Sequence, residues 1–125
     1  MKILIAEDEP LLLKIIEMHL KKNNYEIIMA TDGREAIRLI ELHRPDIIIS
    51  DILMPYVSGL EIIADVRQRL KSNAPIIVLS GLGQENTVVK AFKLGVDDYI
   101  TKPFSPTELL ARIRRLAGNN KNVNT

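Results

Sequence analysis

The 125-residue sequence contains no cysteine, which excludes disulfides and thiolate metal sites and fits a reducing cytosol. Neither charge is in surplus: 17 Lys and Arg against 16 Asp and Glu leave +1. Composition therefore offers no electrostatic case for contact with nucleic acid or anionic lipid. Long hydrophobic runs are missing too. Met1-Lys2 leads straight into Ile3-Leu4-Ile5-Ala6, too short a stretch for a signal-peptide core or a membrane span. The expectation is a cytoplasmic chain that does not touch the membrane. Histidine is scarce, and His19 and His43 lie far apart in helical patterns, where they read as solvated positions and not as metal ligands.

What is present is an ordinary globular composition, 46% hydrophobic and 26% charged, at a length typical of one domain with one core. Short apolar runs alternate with amphipathic stretches. Strands are expected at Lys2 to Ala6, Glu26 to Ala30, Asp46 to Ser50, Ile76 to Leu79 and Asp98 to Ile100. They are rich in Ile and Val, and several are apolar throughout, as suits strands buried on both faces of a parallel sheet. Helices are expected at Pro10 to Asn23, Gly33 to His43, Gly59 to Leu70, Gln84 to Leu94 and Pro106 to Ala117. Asp32, Ser58 and Ser105 each stand three residues before a glutamate, the spacing at which cap and glutamate satisfy orphan N–H groups reciprocally. Pro45 and Pro75 stop the helices before two of the strands. Strict alternation implies βαβ units, right-handed crossovers and helices on both faces. The expected fold is α/β, a doubly wound five-stranded parallel sheet of order 2-1-3-4-5 flanked by five helices. Residues 1–117 form one domain, and the polar segment 118–125 reads as a tail or the start of a linker.

Chemistry gathers at the strand ends. Glu7-Asp8 follows the first strand, Asp51 the third, Ser80 the fourth and Lys102 the fifth. In the expected order these ends share the sheet edge where open α/β sheets bind ligands. Crowded carboxylates raise one another's pKa unless a cation neutralises them. A hard divalent ion, Mg²⁺ above all, would resolve that conflict while keeping waters for a phosphoryl oxygen to replace. A single acid at a strand end is usually a turn residue or a cap; the ordered set is harder to dismiss.

The chain resembles the response-regulator receiver domains of two-component signalling. The resemblance covers about residues 2 to 117 and rests on four features. They are Glu7-Asp8, Asp51 with Met54-Pro55 and Gly59 downstream, Ser80-Gly81, and Tyr99-Ile100-Thr101-Lys102-Pro103-Phe104. It implies a flavodoxin-like fold and a set of roles. Asp51 would accept a phosphoryl group from a histidine kinase or phosphotransfer protein. Asp8, Asp51 and the backbone carbonyl of Leu53 would bind Mg²⁺, with Glu7 acting through water. Lys102 would neutralise the phosphoryl oxygens, Ser80 would donate its hydroxyl to them, and the Lys102-Pro103 bond would be cis. Tyr99 would rotate inward behind Ser80, repacking the face made by the fourth helix, fifth strand and fifth helix. Such a chain is no turnover enzyme: it takes a phosphoryl group from a donor and later hydrolyses it.

The resemblance extends to regulators that dimerise through that face, with Asp98, Glu108 and Arg112 as candidates for cross-dimer pairs. Val88 stands where a base facing Glu108 is usual, and Lys93 where an acid facing Arg114 is usual. Lys90 could partly replace the missing base. Leu53 and Leu82 flank the path of the hydrolytic water and offer it nothing polar, so a long-lived phosphorylated state is expected. A haloacid-dehalogenase-like phosphatase would need a second aspartate where Leu53 stands. A dinucleotide site would need a glycine-rich first turn, but Glu7-Asp8-Glu9-Pro10 would repel a pyrophosphate. The alternative in a different class is a degenerate receiver that only docks proteins, and the complete residue set counts against it.

Overall fold

The computed structural model describes residues 1–123, with side chains through Gly118. Strand β1 (Lys2–Ala6) leads into α1 (Pro10–Lys22), β2 (Glu26–Ala30) into α2 (Gly33–His43), and β3 (Ile47–Asp51) into α3 (Gly59–Ala64). Then come β4 (Ile76–Ser80), α4 (Glu85–Leu94), β5 (Asp98–Thr101) and α5 (Pro106–Val123). All strand pairs are parallel, in the order β2-β1-β3-β4-β5. Fold class and strand order agree with the sequence pattern.

Two cores sandwich the sheet, because successive strand residues point to opposite faces. Ile3, Ile5, Ile47, Ile49, Ile77 and Leu79 pack with Leu13, Ile16 and Leu20 of α1 and Leu109 and Ile113 of α5. Leu4, Ala6, Ile48, Ile76 and Val78 pack on the other face with Ala36 and Ile40 of α2, Ile62 and Ile63 of α3, and Val88 and Ala91 of α4. The continuous apolar strand runs thus fill both layers.

The differences from expectation have local causes. Strands β3, β4 and β5 each run one residue further, to Asp51, Ser80 and Thr101. Ile52 N–H donates to the Leu79 carbonyl (2.9 Å), and Lys102 N–H donates to the Ser80 carbonyl (2.6 Å). The third helix is not one α-helix. After Ala64 it widens into a π-helical turn, Asp65–Arg69, with Leu70 N–H donating to the Asp65 carbonyl at 3.0 Å. That turn aims Arg67 at the carbonyls of Gly95, Ser72 and Ala74 and at Asp97 Oδ2. Gly95 and Asp97 are distant in sequence, and their contacts are invisible to periodicity. Helix α4 starts at Glu85, because Gln84 Oε1 accepts from Gly81 N–H (2.6 Å) instead of capping its own helix.

The three caps are present: Asp32, Ser58 and Ser105 accept from Glu35, Glu61 and Glu108 N–H. The reciprocal bond of Glu35 goes one residue earlier than expected, to Thr31 N–H. Helix α5 continues past Ala117 to Val123, so six residues assigned to the tail are helical; Asn124 and Thr125 lie outside the described residues.

Candidate functional site

Strand ends β1, β3, β4 and β5 bring the acids, Ser80 and Lys102 together. Asp51 is the last paired residue of β3, in register with Leu79, and is buried. Its Oδ2 accepts from Lys102 Nζ at 2.7 Å, and its Oδ1 accepts from Leu53 N–H at 3.2 Å. Glu7 is fully buried just beyond β1. Its Oε2 accepts from Glu9 N–H at 3.0 Å. Its Oε1 lies 2.8 Å from Lys102 Nζ, an ion-pair contact without hydrogen-bond alignment. It is the one buried side-chain polar atom without a hydrogen bond among the described residues. Asp8 is exposed at the mouth, and carboxylate oxygens of Glu7, Asp8 and Asp51 lie within 4.8 Å of one another.

The electrostatics follow from this crowding. Burial pushes the Glu7 carboxyl above the ordinary glutamate range; the Lys102 ammonium and Glu9 N–H oppose it without cancelling it, and nearby Asp51 adds to the rise. Burial acts on Lys102 to lower its pKa, but the contacts with Asp51 and Glu7 outweigh it and hold the ammonium more basic than usual. Three carboxylates share one ammonium, leaving an excess of negative charge and an orphaned buried oxygen. An all-oxygen donor set of this kind fits a hard divalent cation.

Ser80 is buried at the end of β4, and Tyr99 of β5 is 42% exposed. A cavity of about 490 Å³ lies between them, lined also by Val88, Phe92 and Thr101. Tyr99 stands edge-on to Phe92, ring centroids 5.9 Å apart. Leu53 and Leu82 are exposed. Leu82 and Lys102 line a second cavity of about 410 Å³, with Leu12 and Phe104. The Lys102-Pro103 bond is cis, as expected.

The candidate dimer residues pair within the chain. Asp98 accepts from Arg112 (2.8 Å) and Arg115 (2.9 Å), and Glu108 lies 3.5 Å from Arg112. Burial alone would raise the Asp98 pKa, but the hydrogen bonds from Arg112, Tyr99 N–H and Arg115 hold it below the usual range. Arg114 turns away to donate to Asn23 Oδ1 at 3.2 Å. Sequence reasoning missed Arg115 and Phe92. Arg115 was legible as the residue one turn after Arg112 on the same helical side; the Phe92 contact spans α4 and β5 and had no local signal.

A model of the family described as the response regulator receiver domain matches residues 3–114. The chain belongs to the response regulator receiver domain family. As a receiver it is part of the two-component response-regulator system. The Francisella response regulator 1452 receiver domain superposes with a TM-score of 0.86 at 34% identity, covering 95% of this chain and 98% of that one. A receiver domain protein of Clostridium thermocellum gives 0.90 at 27% identity over 98% of each. The probable transcriptional regulator ycf27 of Cyanophora paradoxa is 39% identical over 121 residues, 97% of this receiver and 50% of that protein. The alkaline phosphatase synthesis transcriptional regulatory protein PhoP of Bacillus subtilis is 37% identical over 92% of this receiver and 48% of its own length. This receiver therefore spans about half the length of the curated relatives it matches. Among the described residues no helix is long and apolar enough to cross a membrane.

Proposed function

We propose that this receiver is a phosphorylation-controlled switch whose phosphoacceptor is Asp51. The observation that carries the proposal is the Lys102 ammonium 2.7 Å from Asp51 Oδ2 and 2.8 Å from Glu7 Oε1. It sits where a group bonded to Asp51 would develop negative charge. Asp51 Oδ1 is tethered by Leu53 N–H, which fixes the carboxylate plane. In the transfer, an Asp51 oxygen forms a bond to phosphorus as the phosphorus–nitrogen bond of the donor phosphohistidine breaks. The departing nitrogen keeps the electron pair, and the imidazole leaves neutral because its other nitrogen carries a proton. The donor is a sensor histidine kinase or a phosphotransfer protein. The chain's part is positioning and charge stabilisation; it shuttles no proton.

Asp8, Asp51 and the Leu53 carbonyl would hold Mg²⁺, with Glu7 behind them. When bound, the ion supplies positive charge to the phosphoryl oxygens. Glu7 keeps its Lys102 contact, so it acts by holding the ammonium as well as by adding charge. Ser80, at the inner end of the cavity, is the hydroxyl donor to the new group. Tyr99, at the outer end, is the aromatic free to move in behind it.

The output face is α4, β5 and α5, and the chain dimerises there only if Asp98, Glu108 and Arg112 exchange their internal partners for a second copy. Localisation in the cytoplasm fits a kinase partner of this kind. The test is incubation with Mg²⁺ and a small phosphodonor, read by intact mass and by peptide mapping. The expected result is one alkali- and hydroxylamine-labile phosphoryl group on Asp51, absent from Asp51→Asn. Labelling that survives in Asp51→Asn refutes the assignment.

A further inference from the structure

Beyond Asp51 the chain makes a tight excursion before α3 begins. Its base is closed by Gly59 N–H donating to the Ile52 carbonyl at 3.0 Å. No side chain fits at Gly59, where a Cβ would meet Asp51 O at 2.5 Å. The tip is a narrow turn: Val57 N–H donates to the Pro55 carbonyl at 2.8 Å. Its central residue is Tyr56 at φ +69°, a left-handed conformation that a bulky side chain rarely adopts. Tyr56 is 72% exposed, so no core packing holds it there.

The start of α2 holds it instead. The Arg34 guanidinium carbon lies 4.3 Å from the centroid of the Tyr56 ring, a cation–π stack. Beside it Gly33 N–H donates to the Pro55 carbonyl at 3.4 Å. Gly33 lies so close under Val57 that a Cβ would come within 2.1 Å of its carbonyl oxygen. Leu53 and Met54 are therefore strung between a closed base and a clamped tip.

We propose that Arg34 and Tyr56 are positioning residues, whose stack holds the turn and with it the Leu53 backbone in the arrangement the cation site uses. This rests on Asp8, Asp51 and the Leu53 carbonyl being that site. A turn strained at Tyr56 relaxes once its stack is removed, and each molecule with a relaxed turn is lost to cation binding until it re-forms. Arg34 and Tyr56 touch neither the ion nor the phosphoryl group.

The experiment titrates the chain and its variants with Mg²⁺ alone, using calorimetry and the amide shift of Leu53. Arg34 is exposed in the first turn of α2, and alanine is a strong helix former, so Arg34→Ala stays folded, its melting temperature lowered by no more than about 4 °C. Removing a positive charge by itself would tighten Mg²⁺ binding. The proposal expects the opposite sign, weakening of about two- to fivefold from loss of an exposed stack. Tyr56→Leu weakens binding to the same extent, the double variant weakens it no further, and Tyr56→Phe keeps wild-type affinity. Equal or tighter binding in Arg34→Ala, or Tyr56→Phe as weak as Tyr56→Leu, overturns the proposal. A wild-type chain that takes up no Mg²⁺ would bring down the cation site itself, a failure distinct from a clamp that has no effect.

Discussion

Replacing Lys102 by methionine tests the electrostatics of the site most directly. Its ammonium makes contacts of 2.7 and 2.8 Å with Asp51 and Glu7. At an effective dielectric of roughly 20, each is worth about 6 kcal/mol of gross attraction. Much of that is offset by the desolvation of Lys102, whose side chain is only 24% exposed. Removing one partner of a buried pair typically costs about 3–5 kcal/mol, and partial access to water puts Lys102→Met near 3 kcal/mol. The variant leaves Glu7 and Asp51 facing each other uncompensated. Urea denaturation without Mg²⁺ should show this deficit, and saturating Mg²⁺ should narrow it by supplying the missing positive charge. The pH dependence has a definite sign. Burial already raises the Glu7 pKa in the folded state, and losing the ammonium raises it further. A carboxyl with a raised folded pKa favours the folded state as it takes up its proton. The deficit of the variant should therefore shrink as pH falls from neutrality through the raised Glu7 pKa. Equal stability of wild type and variant without Mg²⁺, or equal stabilisation of both by Mg²⁺, would refute the reasoning.

Three other outcomes are expected. Tyr99→Ala should retain Asp51 phosphorylation but lose most of the phosphorylation-induced amide shifts across α4, β5 and α5; loss of phosphorylation itself would sink that division of labour. Leu82→Glu should shorten the phosphorylated lifetime by about tenfold, less than the 10²–10⁴ of an optimally placed base, and an unchanged decay rate would show that Leu82 does not govern the water. Asp98→Asn should cost about 1 kcal/mol near neutrality, since Arg112 and Arg115 are partly exposed. Because the Asp98 pKa is lowered on folding, its contribution is present above the ordinary carboxylate range and lost as pH falls through the lowered value. Wild type and variant should converge in acid, which thermal melts across pH can follow.

Much of this receiver was legible along the chain, because strand burial is a local matter of composition. Runs such as Ile47-Ile48-Ile49 suit a strand covered on both faces, and alternation with capped helices leaves few topologies. The positions of Glu7, Asp8, Asp51, Ser80 and Lys102 followed, since parallel strands end at one edge. The features that stayed hidden depend on contacts between residues remote in sequence. Periodicity carries no trace of the π turn that sends Arg67 to Gly95 and Asp97, or of α5 continuing beyond Ala117. Whether Asp98 pairs inside the chain or across a dimer was not readable either: the residue types suit a second copy, but the fold brings Arg112 and Arg115 within reach inside the chain.

Residue order alone settles which groups reach the edge of the sheet, since strand length and crossover direction dictate it. Tertiary structure decides how they share charge. Lys102 bridges Glu7 and Asp51 across more than ninety positions of chain. The Glu7 oxygen is left without a hydrogen bond, and a strained tyrosine is held by an arginine from the neighbouring helix. Distances of a few ångströms set those energies, and only the packed fold fixes such distances.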